Sequence, residues 1–177
     1  MAKLEISTDQ MERERVARFA DTEPNPMMFV DTRLPEHARE LFSIIGSGVS
    51  EDPATRPSIT GGHGFNVAYV GSAPGCGAAL HNHVTVEVFI PFSGQWTIYW
   101  GDEGENEIKI GPLDCISVPP GVMRGFRNDG DSYAHMVAVV GGDDNGKVEW
   151  AQSVLERAAE TGMRLDADGN LIVDAAE

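Results

Sequence analysis

A chain of 177 residues with 41% apolar side chains can bury one sizeable core but is short for two, so one domain with appendages is expected. Its 28 acidic and 13 basic residues leave a formal charge of −15, which repels phosphate backbones and anionic membrane surfaces and argues against a nucleic-acid partner. No apolar run reaches the roughly 20 residues of a membrane helix, and the charged start MAKLEISTDQMERER is unlike a signal peptide, so a cytoplasmic location is expected.

Residues 1–59 read as a helical and coil extension. MERERVARFA is a short amphipathic candidate, and LPEHARELFSIIG reads as a helix with Pro35 near its start, Leu34, Ala38, Leu41, Phe42 and Ile45 on one face, and Gly46 at its end. Over residues 60–142 Gly and Pro punctuate short runs rich in Val, Ile, Phe, Tyr and Trp: FNVAYV, LHNHVTVEVFI, QWTIYW, NEIKI, DCISV and YAHMVAVV. Strands at this spacing predict a sandwich or barrel. Alternation does not say which face of QWTIYW turns inward. Residues 143–177 return to helical period in EWAQSVLERAAE, with Trp150, Val154, Leu155 and Ala158 on one side and Gly162 as cap, followed by a hairpin in MRLDADGNLIV. The Asp166 to Asn170 run lacks the closing Glu of a calcium loop and is expected to be a tight turn. Cys76 and Cys115 lack the Cys-x-x-Cys spacing and are expected to be reduced.

The ligand-type residues gather in GCGAALHNHVTVEVFIPFSG, which carries His81, His83 and Glu87 between Gly75 and Gly94. On a strand His81 and His83 share a face, and Glu87 has the same parity. A straight strand would put Glu87 roughly 13 Å beyond His83, so the chain must bend within Val84, Thr85 and Val86 if the three are to meet. Two imidazoles and a carboxylate can hold a divalent first-row metal with positions left open; iron(II) is favoured, and manganese, nickel and zinc are compatible. The bland alternative is two polar histidines on a solvated strand with a surface acid beside them.

The spacing of Gly75, His81, His83, Glu87 and Gly94 resembles the first motif of the cupin superfamily without a gap, and Pro119-Pro120-Gly121 with Asn128 resembles the second. Two places depart from it. Arg124 stands where the second motif has its histidine, and the motif's leading Gly falls at Leu113, with Gly111 nearby. The resemblance implies a mainly β, cupin-type jelly-roll β-barrel with flanking N- and C-terminal helices, and a metal held inside it by His81, His83 and Glu87. It fixes fold better than reaction.

Three outcomes are open for Arg124. It orients the negative group of a substrate beside a His81, His83, Glu87 metal site; it pairs with Glu87 and weakens metal binding; or it snorkels outward over the rim. His135, on the strand YAHMVAVV, is a candidate replacement ligand, whereas His37 and His63 have no companions that suggest chemistry. The expected function is a metal-dependent, dioxygenase-like oxidoreductase acting on a small acidic or enolisable molecule, with Arg124 catalytic. The alternative is a non-catalytic cupin that binds or senses a small anionic ligand. A homodimer is expected, with no membrane partner.

Overall fold

Between residues 40 and 150 turns containing Gly and Pro cut the chain into β-rich runs, and each run folds as a strand. The computed structural model describes residues 3–143 and 146–174. In chain order the strands are β1 (Glu40–Ile45), β2 (Phe65–Ser72), β3 (Gly77–Asn82), β4 (Glu87–Pro91), β5 (Trp96–Trp100), β6 (Asn106–Ile110), β7 (Ile116–Val118), β8 (Arg124–Asn128), β9 (Ala134–Gly141) and β10 (Glu149–Trp150). They pair antiparallel in two five-stranded sheets, ordered β1-β2-β9-β4-β7 and β10-β3-β8-β5-β6. Phe89 of β4 meets Phe126 of β8 across the core at 5.3 Å between ring centroids, so the sheets face one another as the expected jelly roll. On β9 the buried side chains alternate as Ala134, Met136, Ala138 and Val140, and on β5 Trp96 and Ile98 face the core.

The helix expected over residues 34–46 is not formed. Pro35 starts only a single 3-10 turn, Pro35–His37, and ELFSII is β1, bonded along β2 with Leu41 opposite Val70 and Phe42 opposite Tyr69. The reason is burial on both faces. Leu41 and Ser43 line the interior while Phe42 lies under Phe19 at 4.9 Å, so the strand shows no polar alternation and its apolar spacing mimics a helix. The first sheet therefore draws on chain before residue 60.

Helix α1 (Thr8–Arg15) starts earlier than the MERERVARFA pattern, because the Ser7 hydroxyl accepts from the Gln10 N–H at 3.1 Å and caps it, and it buries no side chain. Helix α2 (Gln152–Glu160) buries Val154 and Ala158 as expected, and β11 (Met163–Leu165) with β12 (Leu171–Val173) forms the expected hairpin. The Asp166 carboxylate is spent on its turn, accepting from the N–H groups of Asp168 at 2.9 Å and Asn170 at 2.8 Å. Among the described residues no helix is long and apolar enough to cross a membrane.

The motif positions explain two local features. Gly94 sits at φ +75°, and a Cβ there would fall 2.5 Å from that of Ala134. Leu113, where the second motif asks for glycine, holds φ +72° with its side chain in solvent, so the left-handed backbone persists although the residue that makes it cheap is gone.

Candidate functional site

β3 lies in one sheet and β4 in the other, and the crossing at His83 to Val86 is the bend that the straight-strand distance required. His81 near the end of β3 pairs with Arg124, which opens β8, across an irregularity between Ala78 and His81. Glu87 is the first residue of β4. Ligand atoms of His81, His83 and Glu87 consequently lie within 4.8 Å of one another, and all three side chains are buried.

Arg124 is fully buried, which excludes the outward arrangement. Its Nε and Nη2 donate to Glu87 Oε2 at 3.1 and 2.9 Å, Nη2 also contacts the His83 imidazole through both ring nitrogens, and Nη1 reaches the Val122 and His81 carbonyls at 3.3 and 3.5 Å. His83 Nε2 is itself 3.3 Å from Glu87 Oε2. The arrangement observed is thus the Arg124–Glu87 pair. These contacts converge on Oε2 of Glu87, so the carboxylate's other oxygen is not engaged by them.

His81 is set up differently. Its Nδ1 lies 2.7 Å from the Ala79 carbonyl, so Nδ1 carries the proton and Nε2 presents a lone pair. Burial, reinforced by the Arg124 charge, pushes the imidazole down to about 3 and keeps it neutral. Burial alone would raise the Glu87 carboxyl, but the His83 hydrogen bond and the Arg124 charge outweigh it and hold the group below the usual carboxylate range. Neutral imidazole and ionised carboxylate are the protonation states a metal requires.

Beside this cluster lies a part-open cavity of about 70 Å³, walled by Phe29, Leu41, Val70, Phe126 and Trp150 and touched by His81, Glu87, Ser43 and Arg39. Arg124 is absent from its wall. His135 is not a replacement ligand: it sits on the outward side of β9 with its ring against Phe19, Phe42 and Tyr133. Cys76 and Cys115 are free, and neither lines the cavity.

Sequence reasoning missed a group of buried charged residues. Asp31 and Arg39 form an ion pair at 2.9 Å, and Glu51 accepts from the Val30 N–H at 2.7 Å and from Trp150 Nε1 at 2.6 Å, while the Trp150 ring packs 5.2 Å from that of His81. The signal available was weak, single charged residues beside the apolar MMFV and LFSII runs. Burial, opposed by those two hydrogen bonds, pushes the Glu51 carboxyl up to about 7. A carboxyl raised in the folded state keeps its proton at pH values where the unfolded chain has lost it, so stability falls as pH rises through the window from 4.5 to about 7. Relative to Glu51→Gln, the wild-type chain is expected to lose about 2–3 kcal/mol between about pH 5 and pH 8, read from urea denaturation. His81 and His37, whose pKa values are depressed, act in the opposite direction below 6.5 but are shared by both proteins and cancel. A difference that ignores pH would show that Glu51 does not titrate in this window.

Residues 68–140 match the family of cupin domains. Residues 68–140 are a cupin domain. Solved structures agree on this cupin fold: the polyketide cyclase RemF from Streptomyces resistomycificus superposes with TM-score 0.56 at 16% identity over 88% of this chain and 89% of that one. The DMSP lyases RdDddP and RnDddQII give 0.57 at 13% over 74% and 63%. A sugar phosphate isomerase of the cupin superfamily from Silicibacter pomeroyi is 25% identical with TM-score 0.40 over 45% of this chain, which spans about half (51%) of that protein. No curated protein matches.

The donor set fits a divalent ion in type and mutual distance. The Arg124 guanidinium competes for two of the donors, His83 and Oε2 of Glu87.

Proposed function

We propose that this cupin binds a divalent metal, iron(II) first among the candidates, through His81, His83 and Glu87, and acts as an oxygenase-type enzyme on a small acidic or enolisable molecule held in the barrel. The observation that carries this reading is the convergence of three buried donors within 4.8 Å beside a mainly apolar cavity. Bound iron(II) supplies Lewis-acid polarisation of substrate oxygens and a centre for dioxygen. The chain's own residues do the rest. Phe29, Leu41 and Phe126 exclude water, Ala79 fixes the tautomer of His81, and the donors of Arg124 that Glu87 now takes are suited to a substrate carboxylate or enolate. A homodimer belongs to the same reading.

A second reading, a non-catalytic pocket for a small anion, is favoured by one observation, the closure of Arg124 onto Glu87 and His83. Metal analysis after anaerobic reconstitution with iron, manganese, nickel and zinc in equal amounts separates the two. Near one metal per chain, lost in His81→Ala and in Glu87→Gln samples that keep their circular dichroism, is the expected result. Substoichiometric metal that ignores both substitutions would favour the anion pocket.

A further inference from the structure

We infer that Ser43 is the specificity-determining residue of the cavity, its hydroxyl bonding a carbonyl or hydroxyl oxygen that the ligand carries away from the end held at His81 and Glu87. The inference rests on the reading that a small acidic or enolisable molecule occupies the barrel, and it assigns that molecule a second oxygen.

Ser43 lines the cavity and is only 8% exposed, yet its Oγ has no hydrogen-bond partner among the described residues. The unpartnered side-chain atoms that are sealed from solvent are Asp31 Oδ1, His37 Nδ1, Arg39 Nε and Ser72 Oγ. The Ser43 hydroxyl is not one of them, so it keeps accessible surface while lacking a partner. Elsewhere on the wall Asn66 is taken up by the Gly48 N–H at 3.1 Å and the Gly142 carbonyl at 2.7 Å, and Ser50 by Thr55 at 2.6 Å, while Ser47 is exposed. A hydroxyl both donates and accepts, and in a mainly apolar pocket one such group fixes which way round a ligand lies.

Strand register turns this hydroxyl into the barrel. Ser43 pairs with Ala68 of β2, and Ala68 pairs with Ala138 of β9; residues opposite one another across a sheet share a face, and both alanines line the cavity. The neighbouring pair, Phe42 and Tyr69, takes the outer face against Phe19. Two alanines beside Ser43 leave space in front of its hydroxyl that larger side chains would fill. The same register sets Ser43 apart from the donor site. Glu87 stands on β4, so β9 and β2 lie between it and Ser43, three strand spacings or about 14 Å. Val140, Ala138 and Val70 line that interval with hydrocarbon. A molecule with one polar group at Glu87, an apolar middle and an oxygen at Ser43 matches the arrangement.

The test uses the full chain and three neutral probes of like shape, cyclopentanone, cyclopentanol and methylenecyclopentane, with affinities read by ligand-observed NMR. Ser43→Ala removes the hydroxyl, Ser43→Thr keeps it, and Ala138→Leu fills the space in front of it. The affinity of the oxygen-bearing probes relative to the hydrocarbon is expected to fall about tenfold in Ser43→Ala and to persist in Ser43→Thr, while Ala138→Leu binds none of the three. The Tm of Ser43→Ala is expected to be unchanged or raised, because a hydroxyl without a protein partner holds nothing together. A relative affinity that ignores Ser43→Ala overturns the inference. So does a Ser43→Ala Tm several degrees lower, which would mean that the hydroxyl is bonded within the protein. Binding of the oxygen probes that survives Ala138→Leu also overturns it, by placing them outside the cavity. Metal content measured on the same samples reports the parent reading separately: a metal-free wild type with a Ser43-dependent preference sinks the enzyme proposal and leaves this one standing.

Discussion

Replacing Glu87 with alanine is expected to cost about 3–5 kcal/mol of folding stability, because it strands the fully buried guanidinium of Arg124. In a chain of this length that corresponds to a fall in Tm of roughly 10 °C. The loss should come from the uncompensated charge and not from the missing methylenes. The double replacement Glu87→Leu with Arg124→Met is therefore expected to recover most of it, since apolar pairs of similar volume often match buried ion pairs in stability. Urea denaturation of wild type, the two single variants and the double variant closes the cycle. A Glu87→Ala loss below about 1 kcal/mol would mean that the charge pair is solvated or relieved in solution.

Arg124→His is expected to raise divalent-metal affinity on the order of 100-fold or more. The substitution removes a cation bonded to Glu87 Oε2 at 2.9 Å and touching His83, and like charges a few ångströms apart repel by about 4 kcal/mol per unit pair at an effective dielectric near 20. It also adds an imidazole at the position the second motif reserves for one. Without Arg124 the buried Glu87 carboxylate lacks its cation, so the variant's Tm should become strongly dependent on metal concentration. Isothermal titration with zinc, and thermal melts with and without it, read both effects. Turnover then divides the functional readings: an enzyme that uses Arg124 on its substrate loses activity while holding metal, whereas a binding pocket gains metal and no activity. Unchanged affinity would show that the guanidinium leaves the donors freely when an ion arrives.

The parts of this protein legible in its sequence are those encoded at fixed short spacing. His81, His83 and Glu87 stand at intervals that one strand, one bend and the next strand bring together, and the distance along a straight strand was enough to demand the bend at residues 84–86. The strand runs and the C-terminal helix and hairpin were visible for the same reason, since period and turn residues are local properties. β1 was not, because a strand covered on both faces by Phe19 and the cavity wall loses the alternation that marks a strand.

The sequence by itself determined the jelly-roll frame and the set of three donors that face its interior. Only the tertiary structure decided what the charges near them do. Arg124 meets Glu87 across 37 positions of chain, Asp31 reaches Ala79 across 48, and Glu51 reaches Trp150 across 99. No local period records such pairings. They follow from burial: a charge carried into the core by the packing around it must find its partner there, from whichever strand the fold has brought alongside.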